Sequence, residues 1–244
     1  MSRTDTKQRR IKTAAILGSG PAARAVLETA RRARFIVLGL VDLEQPHSGA
    51  ASGTVDQAQR IGDVASLRAR GPQAFRLLNG LALEAGEPLT HRREMYEQLT
   101  SESFEFPVLT HPSAVVARTA VLSAGAQVMA GAVVEPGGAI GLNAHIGARA
   151  VVETEAEIGA HAVVGAGTVI STGVRVGEGA WIGAGAVLVD GAEVGPAAVI
   201  PPGSVVSAPV TRANGPAASA GPSSPPSSPP SSPPKSPSVR RGAA

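Results

Sequence analysis

The 244-residue chain is 43% hydrophobic and 2% aromatic and has no cysteine, which excludes a disulfide framework, a thiolate zinc site and a cysteine nucleophile, and leaves little for stacking nucleic-acid bases. Its formal charge of +3 belongs to the two ends: residues 1–12 hold five basic residues and one acidic, residues 208–244 hold four basic and no acidic, and residues 13–207 hold 13 basic against 18 acidic. The part expected to fold is therefore mildly acidic, a poor match for a polyanion.

The basic N-terminus, MSRTDTKQRRIK, leads into no signal-type apolar region before Gly18. TAAIL (13–17) reads as a short apolar strand, GSGP as a tight turn, and AARAVLETARRA as a helix with Val26, Leu27 and Ala30 on one face. FIVLGLVD (35–42) reads as a second buried strand ending on an acidic residue. Its apolar run, Phe35 to Val41, falls far short of the roughly 20 residues of a membrane span. A soluble cytoplasmic protein with no membrane insertion is the expectation. AFRLLNG (74–80) reads as a third strand and THRREMYEQLTS (90–101) as a second amphipathic helix. Strand alternating with helix over residues 13–110 predicts a small Rossmann-like parallel sheet with helices packed on it.

From Val116 the pattern changes. Every sixth residue up to Val206, sixteen positions in all, is Val, Ile or Leu. Four residues after each comes a small one, with Val174 the largest, and three after each glycine dominates. A helix repeats every 3.6 residues and a lone strand every 2, so a period of six signals a parallel β-helix. Each rung supplies one short strand, the branched residue fills a narrow interior, and glycine serves the turn where φ must be positive. Three rungs per triangular coil give roughly five coils, stacked at roughly 4.8 Å. This second domain is assigned to residues 111–207. Residues 208–244, rich in Ser and Pro, read as a disordered tail.

GSGPAARAV, then VLGLVDLEQP, then RREMYEQL and FEFPVLTHPSAVV, then unbroken hexapeptides: this order resembles the hexapeptide-repeat sugar acyltransferases of bacterial surface-glycan synthesis. These include the sialic acid O-acetyltransferases and the acetyltransferases of UDP-linked amino sugars. The resemblance covers residues 13–206. It implies a left-handed β-helix, a homotrimer, acetyl-CoA as donor and a nucleotide sugar or sialic acid as acceptor. By similarity the acceptor would touch Gly20, Pro21, Ala22, Asp42, Leu43 and Gly80, although the family commonly has histidine where Ala22 stands. The Gly-x-Gly turn makes independent sense, because it lets backbone amides and a helix N-terminus approach a phosphate. Asp42, at a strand end, could accept from a ribose or base.

The departure is at the base. The family's segment reads like Ile-Glu-His-Glu, and here it is Val152, Glu153, Thr154, Glu155. A second family histidine, which helps to hold the acetyl group, falls on Val163. Acyl transfer needs a group to take the acceptor's proton, and three readings stay open. His161, or His145 one coil beneath position 163, could substitute, both being expected to point outward toward a groove or solvent. The acidic cluster Glu153, Glu155 and Glu157 could supply a carboxylate base, since crowding raises carboxyl pKa values. Or the protein is a catalytically inactive trimeric scaffold that binds a sugar nucleotide. Zinc chemistry of the carbonic-anhydrase kind needs closely spaced histidine pairs on adjoining rungs, which His145 and His161 do not provide, so no metal is expected.

Overall fold

The protein is described from a computed structural model that covers residues 12–43 and 54–211. TAAIL lies within the central strand β1 (Lys12–Leu17), whose Ala14 to Leu17 have no exposed surface. Parallel neighbours flank it: β2 (Phe35–Asp42) on one side and β5 (Arg76–Asn79) on the other. Helix α1 (Pro21–Arg32) begins with proline in its first turn, where the missing N–H costs nothing. It buries Ala23, Val26, Leu27 and Ala30 against the sheet. Helix α3 (Glu87–Ser101) starts three residues before the predicted THRREMYEQLTS segment.

Two features depart from the sequence reading. β2 is not a buried strand throughout, since Ile36 and Leu38 are 51% and 41% exposed between the buried Phe35 and the buried stretch from Gly39 to Val41. The stretch after Leu43 also holds elements that the reading lacked. A hairpin, β3 (Thr54–Val55) and β4 (Ala58–Asp63), adds the outer strands and leads into α2 (Val64–Arg70). Asp63 caps α2 by accepting from the Ser66 amide and hydroxyl. The order is β3-β4-β2-β1-β5, so successive crossovers depart in opposite directions from β1. The crevice at the carboxyl ends of β1 and β5 is the switch point of the sheet.

The hexapeptide segment is a left-handed parallel β-helix. Its two-residue strands follow every six residues from β7 (Val115–Val116) to β22 (Val205–Val206). All sixteen register positions are the second residue of a strand and point inward. Val116 and Leu122, at the end of the stack, are only partly covered. The strand β6 (Leu109–Thr110) comes before them, inside the segment assigned to the first domain, and pairs with β9 (Gln127–Val128). Strands pair at intervals of 18 residues, as Val133 with Val151 and Val169, so three rungs make one coil. The first face carries Val115 and its successors, the second Val121 and its successors, and the third Leu109, Gln127, His145, Val163, Trp181 and Val199.

Of the stretch read as a disordered tail, residues 212–244 lie outside the described residues. Val210 bridges to Val194, which carries the β-helix slightly beyond residue 207. Among the described residues no helix is long and apolar enough to cross a membrane.

Candidate functional site

The structure gathers Gly18, Gly20, Pro21, Ala22, Asp42, Leu43 and Gly80 at the carboxyl edge of the sheet. The Gly18 amide donates to Val41 O at 2.7 Å and the Gly80 amide to Leu17 O at 3.0 Å, which stitches three strand ends together. Gly18 has φ +87, and a Cβ there would sit 3.1 Å from Gly80 O. A Cβ on Gly80 would meet Ile16 Cγ2, Leu17 O and Ala23 Cα at 2.7–2.8 Å, so the two turns touch only because both lack side chains. Gly20 caps α1 with no side-chain hydrogen bond and has open space around its Cα. The first-turn amides of α1 are thus available to an anion. Asp42 is already engaged: Ser19 Oγ donates to Oδ1 at 2.7 Å, and Arg60 Nη1 lies 3.6 Å from Oδ2. Sequence reasoning missed Arg60, because β4 carries no motif that aims it at this edge.

The third face of the β-helix lies against the first domain, and a polar seam fills the contact. Arg92 of α3 is 1% exposed. Its Nη1 donates to Asn79 O at 2.9 Å and Leu81 O at 3.3 Å, on either side of Gly80, and its Nη2 donates to Gln127 Oε1 at 3.2 Å. Burial pushes the Arg92 guanidinium down to about 9. Gln127 Nε2 donates to Asn79 O at 2.8 Å. Its Oε1, 3.1 Å from His145 Nδ1, therefore accepts a proton that His145 must carry on Nδ1. Trp181 Nε1 donates to Leu83 O at 2.7 Å, and Arg93 Nη1 lies 2.6 Å from Glu178 Oε1.

This seam corrects the expected orientation of the two histidines. His145 and His161 are each 6% exposed and face the first domain, not a groove or solvent. Asn79 Nδ2 donates to Asn143 Oδ1 at 3.1 Å, so Asn143 Nδ2 donates to His161 Nδ1 at 3.1 Å. His161 Nε2 then points its proton toward Glu97 Oε1, 3.6 Å away. Burial, with the charge of Arg93, lowers the His161 pKa, and burial with the charge of Arg92 pushes His145 down to about 3. His161 also lies on a different corner of the prism from Thr154. It follows the second face, whereas Thr154 and Glu155 follow the first. The three residues do not converge within one chain. Val163 pairs directly with His145, as the 18-residue coil requires, and is buried in the same seam.

The comparisons agree with this architecture. The family model for the bacterial transferase hexapeptide (six repeats) matches residues 173–208. The acetyltransferase domain of PglB from Neisseria gonorrhoeae, solved with acetyl coenzyme A, is 25% identical. That alignment covers 82% of this chain and 93% of the other, with a TM-score of 0.73. Perosamine N-acetyltransferase from Caulobacter crescentus, solved with CoA and GDP-perosamine, is 28% identical over 82% of this chain and 91% of the other, with a TM-score of 0.74. Both alignments span the two domains together. The chain is similar to the hexapeptide-repeat sugar acyltransferases over both of its domains. WeeI from Acinetobacter baumannii, 14% identical with a TM-score of 0.56, shares the fold. No curated sequence matches.

In this chain the corner around Thr154 is built of carboxylates and hydroxyls. Thr154 N and Oγ1 donate to Glu135 Oε2 at 3.2 and 3.0 Å. One coil later Thr172 N and Oγ1 make the same pair of contacts with Glu153 Oε2, at 3.0 and 3.3 Å. Thr154 is thus one step of a Thr-on-Glu ladder that ties adjacent coils, and its hydroxyl proton is already committed. Among the described residues no cluster of His, Cys, Asp and Glu could hold a metal ion.

Proposed function

We propose that this protein transfers the acetyl group of acetyl-CoA to a nucleotide-linked sugar and works as a homotrimer. One observation carries the reading. The switch-point crevice and the β-helix are held in one arrangement by the Arg92 seam, and that two-domain arrangement is the one shared with relatives solved with acetyl-CoA, or with CoA and a nucleotide sugar. Gly20, Pro21 and the α1 amides would receive the diphosphate. The carboxylate of Asp42 and the cation of Arg60 would receive the nucleoside, and Gly80 closes the floor.

The corner at Thr154 is then the place of chemistry. The acceptor nitrogen or oxygen attacks the thioester carbonyl, the carbon–sulfur bond breaks, and coenzyme A leaves as the thiol or thiolate. The acceptor's proton goes to a carboxylate in place of an imidazole. Glu135 holds the Thr154 hydroxyl, so a proton accepted by Thr154 Oγ1 as its own passes to Glu135 Oε2 leaves the threonine unchanged. Glu155 flanks this path. The first face supports the trimer: its six outward residues, Val115, Val133, Val151, Val169, Val187 and Val205, are all valine and none is buried. A continuous apolar column of this kind marks a surface meant for another protein.

Titration calorimetry with acetyl-CoA and with nucleotide sugars, followed by thiol release in the mixture, tests this. Binding of both and stoichiometric thiol release is expected. Sugar-nucleotide binding without coenzyme binding would show instead a non-catalytic scaffold.

A further inference from the structure

From Gly125 to Gly203 the turn position of each rung has a positive φ, which glycine adopts freely and which costs another residue about 1–2 kcal/mol. At the corner between the third and first faces this position is Gly131, Gly167, Gly185 and Gly203, with one exception, Arg149 at φ +58. At the corner between the first and second faces it is Gly137, Gly173 and Gly191, again with one exception, Glu155 at φ +58. The two exceptions carry opposite charges. They also lie on one coil, immediately before and after the strand Val151–Val152.

The third corner shows what such an exception is for. There Asn143 (φ +54), His161 (φ +60) and Ala197 (φ +53) stand where Gly125 and Gly179 stand elsewhere; the two polar ones, Asn143 and His161, bond across the seam to the first domain. Arg149 and Glu155 have no such return. Both are exposed, and among the described residues neither side chain has a hydrogen bond or ion pair within its own chain. Each lies along its corner over the glycine one coil below: Arg149 Cγ is 3.4 Å from where a Cβ on Gly131 would be, and Glu155 Cγ 3.1 Å from one on Gly137.

They flank the valine face, and geometry assigns them a partner. The third face is occupied by the chain's own first domain, and the second carries the charged column Glu157, Arg175, Glu193. When copies set their first faces about an axis parallel to the prism, rotation keeps every coil at its height. The corner on one side of that face then meets the opposite corner of the next copy. We propose that Arg149 of one copy pairs with Glu155 of the next, three times around a closed ring. The pair fixes the register of the ring and puts an arginine of the neighbour beside the Thr154 corner. This rests on the trimer proposed above, and the test separates the two.

Because the chain has no cysteine, the double variant Arg149→Cys/Glu155→Cys gives a clean cross-linking background. With a short bismaleimide it should run as a covalent trimer on a denaturing gel, while either single variant should not. Independently, sedimentation should show that Arg149→Glu or Glu155→Arg raises the concentration at which the trimer falls apart by about tenfold or more. The charge swap carrying both changes should bring it back. Arg149→Gly and Glu155→Gly control for folding, since glycine relieves the strain; they should stay folded and dissociate more readily. A wild type that sediments as a trimer, with no cross-linked trimer and no rescue by the swap, overturns the pair and spares the trimer. A wild type that sediments as a monomer at every concentration overturns the trimer itself.

Discussion

Mild acid should loosen the contact between the two domains. His145 is neutral in the folded chain down to about pH 3, because burial and the Arg92 charge both oppose its protonation. In the unfolded chain it would take up a proton near the ordinary imidazole value of about 6.5. The sign follows from which state binds more protons. Below 6.5 the unfolded state gains a proton that the folded state refuses, so stability falls as pH falls, and keeps falling until the folded value is reached. Between pH 7.5 and 5 this one imidazole withdraws about 2 kcal/mol, at roughly 1.4 kcal/mol per pH unit. For a chain of this length that corresponds to a Tm lower by about 4–8 °C. His161, also lowered by burial, acts in the same direction.

The variant that isolates the effect is His145→Asn. Its side-chain amide can replace the Nδ1 proton that Gln127 Oε1 accepts at 3.1 Å, and it does not titrate. Thermal unfolding followed by circular dichroism between pH 7.5 and 5, at fixed protein concentration, should show a shallower fall of Tm in the variant. Arg68 holds the Glu102 carboxyl below its ordinary value, so that pair stays ionised throughout this range. Parallel curves for the two proteins would refute the reasoning, for they would mean that His145 accepts its proton in the folded chain as easily as in the unfolded one.

Installing an imidazole by Thr154→His should raise acetyl transfer by roughly 100-fold, the usual contribution of a positioned general base; an unchanged rate in the thiol-release assay would remove this corner from the chemistry. Ile158, 3% exposed inside the prism, cannot accept a charge, so Ile158→Asp should yield no soluble folded protein, at a cost of about 4 kcal/mol or more. Recovery of a soluble trimer would contradict the register. Gly80→Ala forces a methyl to within 2.7–2.8 Å of Ile16, Leu17 and Ala23 and should destabilise the first domain by about 1–3 kcal/mol. It should also weaken nucleotide binding by calorimetry more than coenzyme binding; equal losses in both would mean that Gly80 supports the fold alone.

The β-helix was legible because each rung repeats the same local demand: a branched residue inside, a small one beside it, a turn at positive φ. Sixteen repetitions leave no competing register. The crevice was legible in outline because Gly18, Gly20 and Asp42 sit at strand ends, where a parallel sheet presents its ligands. What stayed hidden depends on which face another domain covers. The hexapeptide pattern marks position 145 as outward, and outward on the third face means buried against α3. Arg92 looked like one more charge on a solvated helix, yet it spans Asn79, Leu81 and Gln127. No local rule says which face of a prism a preceding domain will choose.

A signal for that choice was nonetheless in the sequence. In a repeat where glycine relieves backbone strain at nearly every corner, each non-glycine residue is there against a local cost, and four stand in succession: Asn143, Arg149, Glu155 and His161. Asn143 and His161 offset that cost by bonding to the first domain, so the same accounting applied to Arg149 and Glu155 points outside the chain. Thr154 obeys the opposite logic. It occupies an ordinary turn position, its contacts with Glu135 recur one coil later between Thr172 and Glu153, and its own backbone takes no positive φ. A residue whose role is repeated along the ladder belongs to the scaffold first. If acyl transfer occurs at this corner, the specialised groups are therefore the carboxylates and the neighbouring copy's arginine, and the threonine serves as the route between acceptor and Glu135.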